Sequence, residues 1–166
     1  RARSAVVLTA LALTLAEAPP AAAIGRRLSF DEIARNGRSI VVGTVLSTST
    51  RWGANAKMIF TDYELSVDEV WKGEPRRFLV VSFAGGTVDG KSIQVSHVPR
   101  LEVGATYVLS LNDLSRPWHS PVVGAEQGLF REVTEKATGQ RILLDVEGWA
   151  VTLDAKGELA RVARTT

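Results

Sequence analysis

Met58-Ile59-Phe60-Thr61-Asp62-Tyr63-Glu64-Leu65-Ser66-Val67-Asp68-Glu69-Val70-Trp71-Lys72-Gly73, residues 58 to 73, decides how this chain folds. Ile59, Thr61, Tyr63, Leu65 and Val67 alternate with Phe60, Asp62, Glu64, Ser66 and Asp68. A period of two with one mostly polar set predicts an antiparallel strand, buried on one face and wet on the other. Continuing that period would bury Glu69 and Trp71, yet the next apolar residue is Val70. One extra residue near Asp68-Glu69 restores the register, which is the definition of a β-bulge. Lys72-Gly73-Glu74-Pro75 then turns the chain, and "RFLVVSF" (77–83) returns as a partner strand. The stretch reads as a bulged hairpin corner, a device that strongly curved sheets require.

Working outward, "SIVVGTVLSTST" (39–50) is rich in β-branched residues and reads as a strand, with Gly43 marking a bend or a close backbone approach. Before it, Ser29 and Glu32 have the spacing of a capping box, so a short helix is expected between Ile24 and Gly37, with Gly37 as a left-handed stop. "AGGTVDGK" (84–91) reads as a glycine-rich turn, and 92–100 as a short strand at most. A strong strand is expected at Tyr107 to Leu111, then a long loop "NDLSRPWHSP" (112–121). "VVGAEQGLFREV" (122–133) reads as two short strands about Gly124 to Gly128. Three more follow at Arg141–Val146, Trp149–Leu153 and Glu158–Val162, the last two joined by a turn at Asp154–Gly157. No long repeat and no long amphipathic helix follows Gly37. The expected fold is all-β: an OB-like antiparallel barrel with a short N-terminal helix and C-terminal hairpin strands.

The first 23 residues are expected to be a secretory signal peptide. Arg1 and Arg3 precede an uncharged apolar run from Ala5 to Ala16, and Ala21 and Ala23 fit the small-residue rule for cleavage after Ala23. The run is shorter than the about 20 residues a spanning helix needs. The chain opens without Met, so a leader lacking its first residues is expected. Residues 24–166 would then form a single OB-like domain of 143 residues with a net charge near +1, against +2 for the whole sequence. That near-neutral balance speaks against nucleic acid as a partner. There is no Cys, which removes a thiolate nucleophile, a lipoprotein anchor and any Cys-based zinc site. The expected location is periplasmic or extracellular, with no membrane span after the leader.

"VGTV" (42–45), "VDEVWKG" (67–73) and "VGATYV" (103–108), in this order and spacing, resemble the OB-fold, netrin-like domain of the tissue inhibitors of metalloproteinases and their bacterial relatives. The resemblance covers residues 39–111 and implies an OB-like binding domain. "VVGAEQGLFREV" followed by "ATGQRILL" is also similar to the ending of exported bacterial proteins with this domain. The animal inhibitors reach the zinc of a target protease through an amino-terminal Cys. This chain has none, so that inhibitory wedge is not carried over.

The chemistry-bearing residues are few. His97 and His119 are the two histidines. Ser96 and His97 are neighbours, so on a strand they would point to opposite faces. No Gly-x-Ser-x-Gly elbow, no His-x-His spacing and no Asp-rich calcium loop occurs. No catalytic residue, metal or cofactor is therefore expected. Trp52 in "RWGANAK" and Trp118 in "RPWHSP" stand out more, because Trp and Arg are typical binding anchors and loops carry function on rigid scaffolds. The simpler alternative is that each Trp plugs a barrel end, and Trp71 and Trp149, beside strand ends, are expected in the core or as a barrel cap. The expected binding residues are Arg51, Trp52, Gly85, Gly86, Arg116, Trp118 and His119. The expected function is a non-catalytic exported module that binds an exported or envelope protein, an exported protease being one candidate. The alternatives are a small exported hydrolase using His97 or His119 and a polysaccharide-binding module.

Overall fold

The computed structural model describes residues 26–136, 138–154 and 159–164. The leader expected at 1–23 and most of the 154–157 turn lie outside them. The described chain is mostly β. A single helix, α1 (Phe30–Asn36), precedes ten strands: β1 (Ser39–Trp52), β2 (Ile59–Lys72), β3 (Phe78–Ala84), β4 (Gly86–Val88), β5 (Lys91–Ile93), β6 (Thr106–Leu111), β7 (Leu129–Thr134), β8 (Arg141–Leu144), β9 (Trp149–Leu153) and β10 (Leu159–Arg164). Eight of them form one antiparallel sheet in the order β10-β9-β8-β7-β6-β1-β2-β3. β4 and β5 form a separate ribbon. Among the described residues no helix is long and apolar enough to cross a membrane.

The bulge sits where the alternation breaks. Val42 faces Glu69 and Gly43 faces Val67, so Asp68 has no opposite residue. A second irregularity leaves Trp71 unopposed, because Ile40 faces Lys72 and Val41 faces Val70. The extra residue at Asp68 lets both Val67 and Val70 pack on the core while Glu69 turns outward. The bulged Asp68 is anchored by the Thr44 hydroxyl, which donates to its carboxylate at 3.1 Å. Trp71 is 55% exposed, neither core nor cap: with Val70 turned onto the core, strand alternation sends the next residue outward. The expected bulged hairpin is present, with β2 and β3 paired antiparallel. β3 leaves β2 at Val67, whose N–H donates to the Arg77 carbonyl at 2.9 Å, and Asp68 to Lys72 continue on β1 alone.

Both faces of β1 are buried in its first half. Val41 and Val45 join Tyr63, Leu65, Val81, Phe83, Leu109 and Leu111 in the main core. Val42 points the other way and meets Ile33 of α1, Val108 and Phe130. α1 lies on that second face, and the main core on the other is completed by Leu101 and Val122 from the loops. β3 and β10 are the edges of the sheet, and no ladder joins them among the described residues. One bond does tie β3 across: the Ala84 N–H donates to the His119 carbonyl at 2.7 Å. The segment after His119 then follows the end of β6 through a bridge between Leu111 and Val122.

α1 begins as its sequence indicates, with Ser29 as N-cap and the reciprocal Glu32 bond of a capping box. Its end differs from expectation. Gly37 is extended, with φ −61° and ψ 127°. The requirement there is space, since a Cβ would collide with the Ser110 hydroxyl, which itself donates to the Ile33 carbonyl at 2.8 Å. Residues 84–91 are more than a turn: Gly86–Val88 pairs with Lys91–Ile93 about a tight Asp89-Gly90 corner, both residues at positive φ. In 122–133 only β7 is a strand; the first half is a bridge and a chain of turns.

Candidate functional site

Three of the expected binding residues meet in one groove of about 400 Å³. Arg51 forms its floor, and Arg116 and Trp118 form one wall. Phe60, Val80 and Ser82, from the outer face of β2 and β3, complete the opposite side.

The floor is a cross-strand network. Arg51 Nε donates to Asp62 Oδ2 at 2.6 Å, and Nη2 donates to Ser82 Oγ at 3.2 Å. Ser82 Oγ donates in turn to Asp62 Oδ1 at 2.5 Å. The guanidinium also lies 5.5 Å from the Phe60 ring centroid, within cation–π range. Three strands thus fix one charge flat against the sheet. Arg51 is therefore engaged internally and contributes shape more than a docking cation.

The wall is a turn pinned by its own backbone. The Ser115 N–H donates to the Asp113 carboxylate at 3.0 Å, and the Trp118 indole N–H donates to the Asp113 carbonyl at 2.8 Å. The Ser115 hydroxyl and amide hold the Asp113 carboxyl below its ordinary range. Trp118 nonetheless remains 38% exposed. An aromatic whose polar end is satisfied and whose face stays open binds at little ordering cost. Arg116 is exposed and, among the described residues, has no ion pair.

The other expected residues lie elsewhere. Trp52 follows Arg51 on the strand and faces the opposite side, where Lys91 Nζ stands 5.9 Å from its ring centroid. Gly85 and Gly86 form the corner between β3 and β4, at φ 104° and 137°. A Cβ on Gly86 would come within 2.7 Å of Thr61 Oγ1, so this corner is set by backbone demands. His119 contributes its carbonyl to the Ala84 bond, and its side chain is exposed.

Sequence reasoning missed Phe60, Val80 and Ser82. The available signal was in "RFLVVSF", where both alternating sets contain apolar residues although β3 buries only one. A larger cleft, about 840 Å³, lies between the Arg26–Ile33 segment, the 124–127 turn and the β8–β9 connection. His97 lines it, with Nδ1 3.2 Å from Glu126 Oε1. That pair could orient a general base, but among the described residues no hydroxyl is hydrogen-bonded to either histidine side chain. The described residues hold no group of three or more His, Asp or Glu placed to bind a metal. Compared with known protein families, with curated proteins and with solved structures, the chain matches none.

Proposed function

We propose that this chain is an exported, non-catalytic module that binds an exported or envelope protein on the face bearing Phe60, Val80, Arg116 and Trp118. The observation that carries the reading is Trp118, held by its indole N–H yet open to solvent in the groove it shares with the apolar Phe60 and Val80. Buried aromatic anchors beside Arg dominate protein interfaces, and a fixed one is already organised for docking. The scaffold is read as an OB-like barrel related to the netrin-like domain. The order β3-β2-β1-β6 and the Ala84–His119 bond support this, since the 119–123 segment then bridges β3 to β6.

The test is affinity capture with the immobilised full chain, exposed to secreted and envelope fractions beside Trp118→Ala. A protein retained by the native chain and lost with the variant, at unchanged unfolding midpoint, is the expected outcome. Equal retention by both, or unfolding of the variant, refutes the site. The hydrolase reading draws on the His97–Glu126 pair in the larger cleft. It falls if replacing His97 and His119 together leaves every detected activity unchanged.

A further inference from the structure

We propose that the open edge of β3 takes up an extended segment of the protein partner as an added β-strand, its apolar residues alternating between acidic ends. The inference rests on the binding reading above and names how the partner is held.

The register of β2 and β3 fixes which way each β3 residue presents its backbone. Val67 N–H bonds the Arg77 carbonyl and Gly85 N–H bonds the Ile59 carbonyl, both at one end or the other of the same ladder. Antiparallel pairs alternate between hydrogen-bonded and non-bonded. Leu79, Val81 and Phe83 therefore bond β2, while Phe78, Val80, Ser82 and Ala84 turn their N–H and C=O groups away from it. The Ala84 N–H, already given to His119, follows this alternation. That leaves Phe78, Val80 and Ser82 as a row of donors and acceptors on an edge that, among the described residues, no other strand covers.

Edge strands are normally guarded by charge, Pro or a bulge. β10, the other edge, carries the charged Arg161. β3 carries no charged residue, no Pro and no register shift. Its outward side chains are apolar and open: Phe78 is 62% and Val80 56% exposed. Beside this edge stands the groove wall of Leu114, Arg116 and Trp118. An added strand would gain backbone bonds from β3 and side-chain contacts from Val80 and Trp118, which is the division of labour in β-augmentation.

Charge selects the occupant. Arg76 and Arg77 precede the edge and Arg116 stands at its far end, and none of the three has an ion pair among the described residues. Of the carboxylates here, Asp62 is held by Arg51, Glu64 by the Ser47 hydroxyl and Asp113 by the Ser115 amide. Acidic groups at both ends of an incoming strand would meet unpaired guanidiniums. A second copy fits less well: antiparallel self-pairing about Val80 would bring Arg76-Arg77 of one copy toward Arg116 of the other.

The test uses the isotope-labelled full chain and an acetylated, amidated peptide in which Val and Thr alternate between terminal aspartates. Two further peptides carry N-methyl groups on the β3-facing amides or Lys in place of Asp. Binding should shift the Phe78, Val80 and Ser82 amides and slow their exchange with solvent. N-methylation should raise Kd by about tenfold or more, as should Val80→Pro, which removes an outward N–H that β2 does not use. The Lys-ended peptide should bind more weakly. Binding that is indifferent to N-methylation, or that leaves those amides unchanged, overturns the added strand while the Trp118 face stands. Protection of the same amides by protein concentration alone, with a dimer in solution, makes a second copy the occupant and overturns the peptide. If no peptide binds although Trp118-dependent capture succeeds, only this inference falls; if both fail, the binding reading falls with it.

Discussion

Gly43→Ala places a methyl group where two strands approach most closely. Gly43 lies in the middle of β1, opposite Val67 and next to the Asp68 bulge. A Cβ there would sit 2.7 Å from the Ser66 carbonyl oxygen, with Leu65 Cβ and Cδ2 at 3.5 Å. Close carbon–oxygen contacts in sheets begin at about 3.3 Å, so the strands must part by roughly 0.6 Å. Leu65 is fully buried and cannot yield sideways. Overpacking of this kind costs about 1–3 kcal/mol. The lost freedom of glycine in the unfolded chain offsets about 0.5–1 kcal/mol. From the middle of each range the net loss should be ~1 kcal/mol, a fall of roughly 2–4 °C in melting midpoint for a domain of this size. Urea titration is the assay, with an unchanged denaturant slope. An unchanged or raised midpoint would falsify the close approach of β1 and β2 at Gly43.

Ser110→Ala removes the buried hydroxyl that holds the Ile33 carbonyl. A loss of about 1 kcal/mol is expected in the same titration; no loss would mean that α1 is held by its apolar contacts alone. Trp71→Ala should lower stability by less than about 1 kcal/mol, whereas removal of a buried Trp costs about 3–5. A loss in that higher range would place Trp71 in the core after all. The Glu32 carboxyl is lowered to about 2, chiefly by the Arg26 guanidinium and then by the Ser29 amide. Its folded value lies below the ordinary 4.5, so its contribution is present above that pH and fades as pH falls toward about 2. Melting profiles of the native chain and Glu32→Gln should therefore converge over that acid window; parallel profiles would contradict the assignment.

Alternation made the framework legible. β2, the Asp68 bulge, the capping box and the three C-terminal strands were all readable because each rests on local period or spacing. The Trp71 bulge was not, because nothing in Val70-Trp71-Lys72 says which partner residue is skipped. Gly37 was misread for a related reason: glycine in sequence does not distinguish a left-handed residue from one crowded by Ser110, more than seventy residues away. The site was half legible. Arg116 and Trp118 share a loop and could be paired by eye, but Arg51 and Trp52 are neighbours that strand alternation sends to opposite faces. Val80 and Ser82 carried a signal in the apolar residues of both alternating sets of "RFLVVSF", but that the outer set borders the Trp118 loop required the three-dimensional arrangement.

The division of β1 has a kinetic consequence. Its pairing with β2 runs its whole length and closes through a short loop, where the Gly53 N–H meets the Met58 carbonyl at 2.7 Å. Its pairing with β6 joins Thr44 to Thr106, 62 residues apart. The first ladder is local and needs little loop closure, whereas the second waits on a long excursion of the chain. The β1–β2–β3 meander should therefore assemble early and β6 dock late. Until it docks, Val41 and Val45 have half their cover, and the nascent chain is at its stickiest.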